Sequence, residues 1–135
     1  MRYFPACAAA WLMCLGPQFA TAENWPGWRG PRGDGTSMET KLPLEWNDAS
    51  GKNIAWKVPA PGEGHASPIV WEDRIFLAAC LKDRQERVLV CLDRKTGKTL
   101  WSRSVLRSPL ETKHRLNSYA SSTPATDGEL VYVTF

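Results

Sequence analysis

Residues 90–101 read Val90-Cys91-Leu92-Asp93-Arg94-Lys95-Thr96-Gly97-Lys98-Thr99-Leu100-Trp101. An apolar run stops at Asp93, a polar stretch containing Gly97 follows, and apolar residues resume at Leu100. Aspartate accepts backbone N–H groups in a turn, and glycine takes a positive φ without steric cost. The stretch therefore predicts a tight turn, with one strand before it over 87–92 and one opening after it over 98–102. Upstream, Lys82-Asp83-Arg84-Gln85-Glu86 reads as a solvated hairpin loop. Before that loop, residues 74–80 are nearly all apolar. A strand apolar on both faces needs cover on both. Trp71-Glu72-Asp73 turns the chain once more, and 66–70 is a short first strand. If the central hairpin pairs residues whose numbers sum to 168, Leu77 faces Cys91 and Cys80 faces Val88. Neither cysteine then faces the other, and no Cys80–Cys91 bridge is expected, because bridged β carbons must lie within about 4.5 Å. Both read as small buried hydrophobes.

The same pattern occurs twice. Ser67-Pro68 followed by Trp71-Glu72-Asp73 matches Thr123-Pro124 followed by Asp127-Gly128-Glu129, ungapped, at an offset of 56. A second pair, Gly51 to Trp56 and Gly97 to Trp101, places the two tryptophans 45 apart. An insertion of 11 residues around 107–117 reconciles the two spacings. Four short antiparallel strands in a unit of about 45 residues are the blade of a β-propeller. Trp56 and Trp101, at equivalent places, are expected as broad spacers between sheets rather than as ligand platforms.

Residues 1–22 carry the marks of an export signal. Arg2 gives a positive start, 6–16 is an apolar run of eleven, and Ala20-Thr21-Ala22 offers small residues before a cut at Glu23. The run is much shorter than the roughly 20 residues needed to span a bilayer. Cys14 follows the large Leu12 and Met13, so lipidation is not expected. The expected organisation is a signal over 1–22 and the start of a propeller domain over 23–135, in a periplasmic or secreted protein. Loss of Arg2 turns the formal charge of +3 into +2. An excess so small and dispersed excludes an electrostatic nucleic-acid footprint.

The run from Val90 to Trp101 resembles the repeat of quinoprotein-like (PQQ-like) β-propellers. Leu92, Asp93, Thr96, Gly97, Lys98 and Trp101 match that repeat, while Cys91 stands where it most often has alanine. The opening Trp25-Pro26-Gly27-Trp28-Arg29-Gly30-Pro31 is similar to the start of exported bacterial members. The resemblance implies an all-β fold of about seven or eight four-stranded blades, roughly 315–360 residues in all. About one and a half blades are represented here, so the chain is expected to be an N-terminal portion of a longer protein.

For function the resemblance implies two roles. One is an extracytoplasmic binding or scaffolding propeller without catalysis of its own, as in outer-membrane assembly scaffolds. The other is a pyrroloquinoline-quinone-dependent alcohol or sugar dehydrogenase, with quinone and calcium bound and its catalytic residues in further blades. No catalytic or metal-ligating residue is assigned in this stretch, and the carboxylates Asp73, Asp93, Asp127 and Glu129 read as turn residues. Loops on a rigid scaffold bind ligands. His65, just before a first strand, and His114, Arg115 and Asn117, in the insertion, are the candidates for contacting a protein or small molecule at the propeller funnel. Residues 24–36, rich in Gly, Pro and Arg, are expected to wrap the outside, anchored by Trp25 and Trp28.

Overall fold

The computed structural model describes residues 22–135, and the expected signal lies outside the described residues except for Ala22. The architecture is all-β. Strands β1 (Ile69–Trp71), β2 (Arg74–Leu81), β3 (Glu86–Asp93) and β4 (Thr99–Arg107) form one antiparallel sheet in sequential order. Strands β5 (Ala125–Thr126) and β6 (Val131–Tyr132) form a smaller second sheet. This is one full propeller blade and the start of another.

The offset of 56 is written into the pairing. Ile69 pairs with Phe76 and Val70 with Ile75 in the first sheet, and Ala125 pairs with Tyr132 and Thr126 with Val131 in the second. Even the approach to the two sheets is matched, since the Ser67 N–H donates to Thr123 Oγ1, its own equivalent, at 3.0 Å. That bond keeps residues 66–68 out of the first strand, which starts three residues later than expected.

The central hairpin differs from expectation by one residue. Leu77 pairs with Val90, Cys80 with Arg87 and Cys91 with Phe76. The turn explains the shift. A short 3₁₀ turn spans Lys82–Arg84, and Gln85 takes a left-handed φ of 51° with its N–H on the Lys82 carbonyl at 2.9 Å. The chain reverses one residue early, and Glu86 becomes the first residue of β3 instead of the last of the loop. In a sheet, alternate residues share a face. Phe76, Ala78 and Cys80 therefore share one face with Cys91, Leu89 and Arg87. That face packs against Trp71, Trp101, Val131 and Val133 at one end and against Leu110, Tyr119 and Ala120 at the other. Ile75, Leu77, Ala79, Leu81, Val88, Val90 and Leu92 cluster on the opposite face. Cys80 and Cys91 lie on one face but four residues apart along it, about 13 Å. Both are free thiols, and burial pushes both above the ordinary cysteine range.

Trp101 is half-buried, with its ring 5.9 Å from that of Phe76. Trp56 lies in an irregular segment, half-buried, and its indole N–H donates to the Arg94 carbonyl at 2.9 Å. Asp93 accepts from the Thr96 N–H at 2.8 Å and the Thr96 hydroxyl at 2.6 Å, and these bonds hold its carboxyl below the ordinary range.

Asp127 organises the β5–β6 turn in a similar way, with stronger support. It accepts from Glu129 N–H, Leu130 N–H and the Tyr132 hydroxyl at 2.9, 2.8 and 2.6 Å. These donors, the Leu130 N–H foremost, lower its pKa to about 2. A carboxylate depressed on folding adds stability above its unfolded value, and that stability is lost as pH falls through the folded value. Tyr132→Phe removes one donor, so Asp127 is expected to titrate at higher pH. Carboxyl-carbon NMR titration of both proteins checks this; coincident curves would show that the phenol does not hold the carboxylate.

The N-terminal segment is tied by backbone bonds to both sheets. Trp25 makes a two-bond bridge to Val70, N–H to carbonyl at 2.8 Å and carbonyl to N–H at 2.9 Å. The Pro26 carbonyl accepts from Thr126 N–H of β5 at 2.9 Å. The strap therefore lies along the free edge of β1 and beside β5. The reason is that β1 has an edge left unpaired by β2, and backbone groups of the strap satisfy it. Trp25 anchors it, whereas Trp28 is largely exposed.

Candidate functional site

Antiparallel order sends the β2–β3 loop and the β4–β5 connection to one end of the sheet, and the β1–β2 and β3–β4 turns to the other. The β4–β5 connection contains the insertion, which is irregular from Ser108 onward. It folds back across the sheet because Arg87 holds it. This arginine, at 1% exposure, donates to the Ser108 carbonyl at 2.9 Å and hydroxyl at 3.1 Å, and to the Glu111 carboxylate. The Tyr119 ring lies 5.6 Å from the Arg87 guanidinium carbon and 5.0 Å from Lys113 Nζ. Ala120 closes the fold-back, its carbonyl accepting both His65 N–H and Ala66 N–H at 3.0 Å.

A cavity of about 260 Å³ opens at that end, lined by Glu63, Gly64, His65, Lys82, Lys113, Arg115, Asn117 and Ser118. Three of the four residues singled out from the sequence thus share one cleft: His65, Arg115 and Asn117. His114 does not line it. Its carbonyl accepts Asn117 N–H at 2.9 Å and its ring Nδ1 accepts Leu116 N–H at 3.3 Å, so it shapes the turn that presents Arg115. Lys113 braces the same turn through the Asn117 carbonyl at 2.5 Å. Lys82 stands 2.7 Å from Glu63, whose carboxylate holds the lysine above its ordinary range. Three permanent cations against one carboxylate give the cleft a positive balance, with Arg115 exposed at its rim. A cleft of this charge can hold an anionic group, and an arginine fork can orient one.

Lys82 and Lys113 escaped the sequence reading as site residues. Lys82 reads as a solvated loop residue, and only the antiparallel order, which brings its loop beside the insertion, would have placed it. Among the described residues, no group of three or more His, Cys, Asp or Glu side chains stands close enough to hold a metal ion. The turn carboxylates Asp73, Asp93, Asp127 and Glu129 belong to no such group.

The family model described as outer membrane protein assembly factor BamB, built on the PQQ_2 repeat, matches residues 40–135. The chain belongs to this family. The match covers the full blade, the insertion and the start of the second blade. No curated protein and no solved structure matches the chain. No helix among the described residues is long and apolar enough to cross a membrane.

Proposed function

We propose that this chain is part of an extracytoplasmic propeller that binds or scaffolds a partner, and that the insertion cleft receives an anionic group of that partner. The carrying observation is the convergence of His65, Arg115 and Asn117 with Lys82 and Lys113 around one small cavity. The family description, an assembly factor for outer membrane proteins, supports a non-catalytic role. Removal of residues 1–22 on export to the periplasm or outside is part of the same reading, as is a ring completed by further blades.

The test uses the exported protein purified from its own host. A photo-crosslinker at Ser121, beside the cleft, is expected to capture a partner through an acidic segment. Arg115→Glu is expected to cut that capture about tenfold or more, in line with the cost of placing like charges at a binding surface. Added salt should weaken capture in the wild type more than in the variant. Capture unchanged by charge reversal would remove the cleft from the contact. A quinone absorbance band with alcohol oxidation, in protein incubated with quinone and calcium, would overturn the scaffold reading in favour of the dehydrogenase.

A further inference from the structure

We propose that cleavage before Glu23 creates an α-ammonium group that the Glu39 carboxylate captures, and that export thereby turns a neutral hydrogen bond into an ion pair that strengthens the hold of the strap. The proposal rests on the reading of 1–22 as a removed signal. Glu23 N lies 2.5 Å from Glu39 Oε1, where it donates as a neutral peptide N–H. Hydrolysis breaks the bond between the Ala22 carbonyl carbon and Glu23 N. Water gives its hydroxyl to the carbonyl carbon and a proton to the nitrogen, which takes a second proton from solvent. A neutral donor becomes a full cation on the same acceptor, and charge-assisted hydrogen bonds are roughly twice as strong as neutral ones.

The surroundings favour that cation. The Glu23 carboxylate is forked by Arg32, with nitrogen–oxygen distances of 2.5 and 3.0 Å, so one carboxylate is already neutralised. Glu39 has no such arginine among the described residues, and Asp34 adds negative charge nearby. The cavity beside Glu23 is lined by Glu72, Asp73, Arg94 and Lys95, two of each sign. Arg32 also donates to the Thr36 carbonyl at 2.6 Å. The bond from Glu23 to Glu39 thus closes a loop already braced across its middle.

What the loop holds gives the latch its consequence. Asn24 Oδ1 accepts Glu72 N–H at 2.6 Å in the β1–β2 turn, Trp25 bridges β1, and Pro26 accepts from β5. Three consecutive residues after the new terminus therefore tie the first blade to the start of the second. An ammonium held by Glu39 fixes the strap at its first residue, where a free chain end would otherwise fray. A group whose pKa is raised on folding adds stability that is complete below its unfolded value, about 7.7–8.0 for an α-amine, and is lost as pH rises through the raised value.

The experiment reads the reactivity of the terminal amine in the exported protein. Intact mass first reports where the chain begins. Labelling with 2-pyridinecarboxaldehyde, which needs the neutral amine, is then followed from pH 6 to pH 10 in wild type and Glu39→Gln. The wild type is expected to label about tenfold more slowly at pH 7, the effect of moving the pKa by one, with the two rates converging at high pH. Equal rates at pH 7 would overturn the pairing. A rate ratio that does not change with pH would mean shielding alone and would overturn it equally. A native start at another residue would overturn the link to export, while a protein cut to begin at Glu23 would still report whether Glu39 takes the amine.

Discussion

Arg87→Ala is expected to lower the unfolding free energy by about 2–5 kcal/mol, the range seen when a long buried side chain is cut back to alanine. Arg87 sits on the face of β3 that also carries Leu89 and Cys91, and opposite Cys80. A cation at 1% exposure is tolerated there because its terminal nitrogens reach Ser108 and Glu111 and its guanidinium lies by the Tyr119 ring. Its Nε is buried with no partner among the described residues, so the network is incompletely satisfied. Alanine leaves a cavity the size of the side chain, orphans the Ser108 carbonyl and unties the insertion. Arg87→Met fills most of the volume and separates packing from tethering. It is expected to lose less stability, yet to speed hydrogen exchange at Ser108 and Ala120 and weaken capture at the cleft. Denaturant unfolding of the three proteins checks the order. If Arg87→Met is as stable as wild type and its insertion exchanges no faster, the arginine does not position the cleft.

That role was hidden in the sequence, and the reason is physical. An arginine at the start of an apolar strand reads as the end of the buried stretch. Its burial depends on Ser108, Glu111 and Tyr119, which lie 21 or more positions away. Features set by local chemistry were legible. Asp93, Thr96 and Gly97 announced their turn, the repeat at 56 announced the second sheet, and the apolar runs announced strands buried on both faces. The register of the central hairpin was not, because it hangs on one left-handed residue, Gln85, that any polar side chain could supply. The cleft was legible in part. His65, Arg115 and Asn117 could be placed from the order of strands and the position of the insertion. Lys82 and Lys113 required knowing how far the insertion folds back. The strap's partners were not legible, because its composition speaks for anchoring but says nothing about which backbone edge is free.

Gly97→Ala is expected to cost about 3 kcal/mol, which no turn argument alone would give. Gly97 has a φ of 70°, and a β carbon there would meet Trp56 Cε3 at 2.6 Å and Cδ2 at 2.8 Å. The left-handed backbone accounts for about 1–2 kcal/mol with a non-glycine residue. Overpacking adds about 1–3 kcal/mol more. Trp56 cannot slide away freely, because its indole N–H is fixed on the Arg94 carbonyl within the same turn. Gly33→Ala supplies the control: φ is also 70°, but nothing lies within 4 Å of the added carbon, so only the backbone cost of about 1–2 kcal/mol remains. The difference between the two variants, read from denaturant unfolding, isolates the contact with the tryptophan. Trp56→Leu should then absorb much of that difference when combined with Gly97→Ala, as contacting residues do in a double-mutant cycle. Equal losses for Gly97→Ala and Gly33→Ala would mean that the glycine serves its turn alone. A larger loss at Gly97 gives the repeat a second meaning. Trp56 is the repeat equivalent of Trp101, so the glycine that turns one unit is also the floor on which the tryptophan of the preceding unit rests.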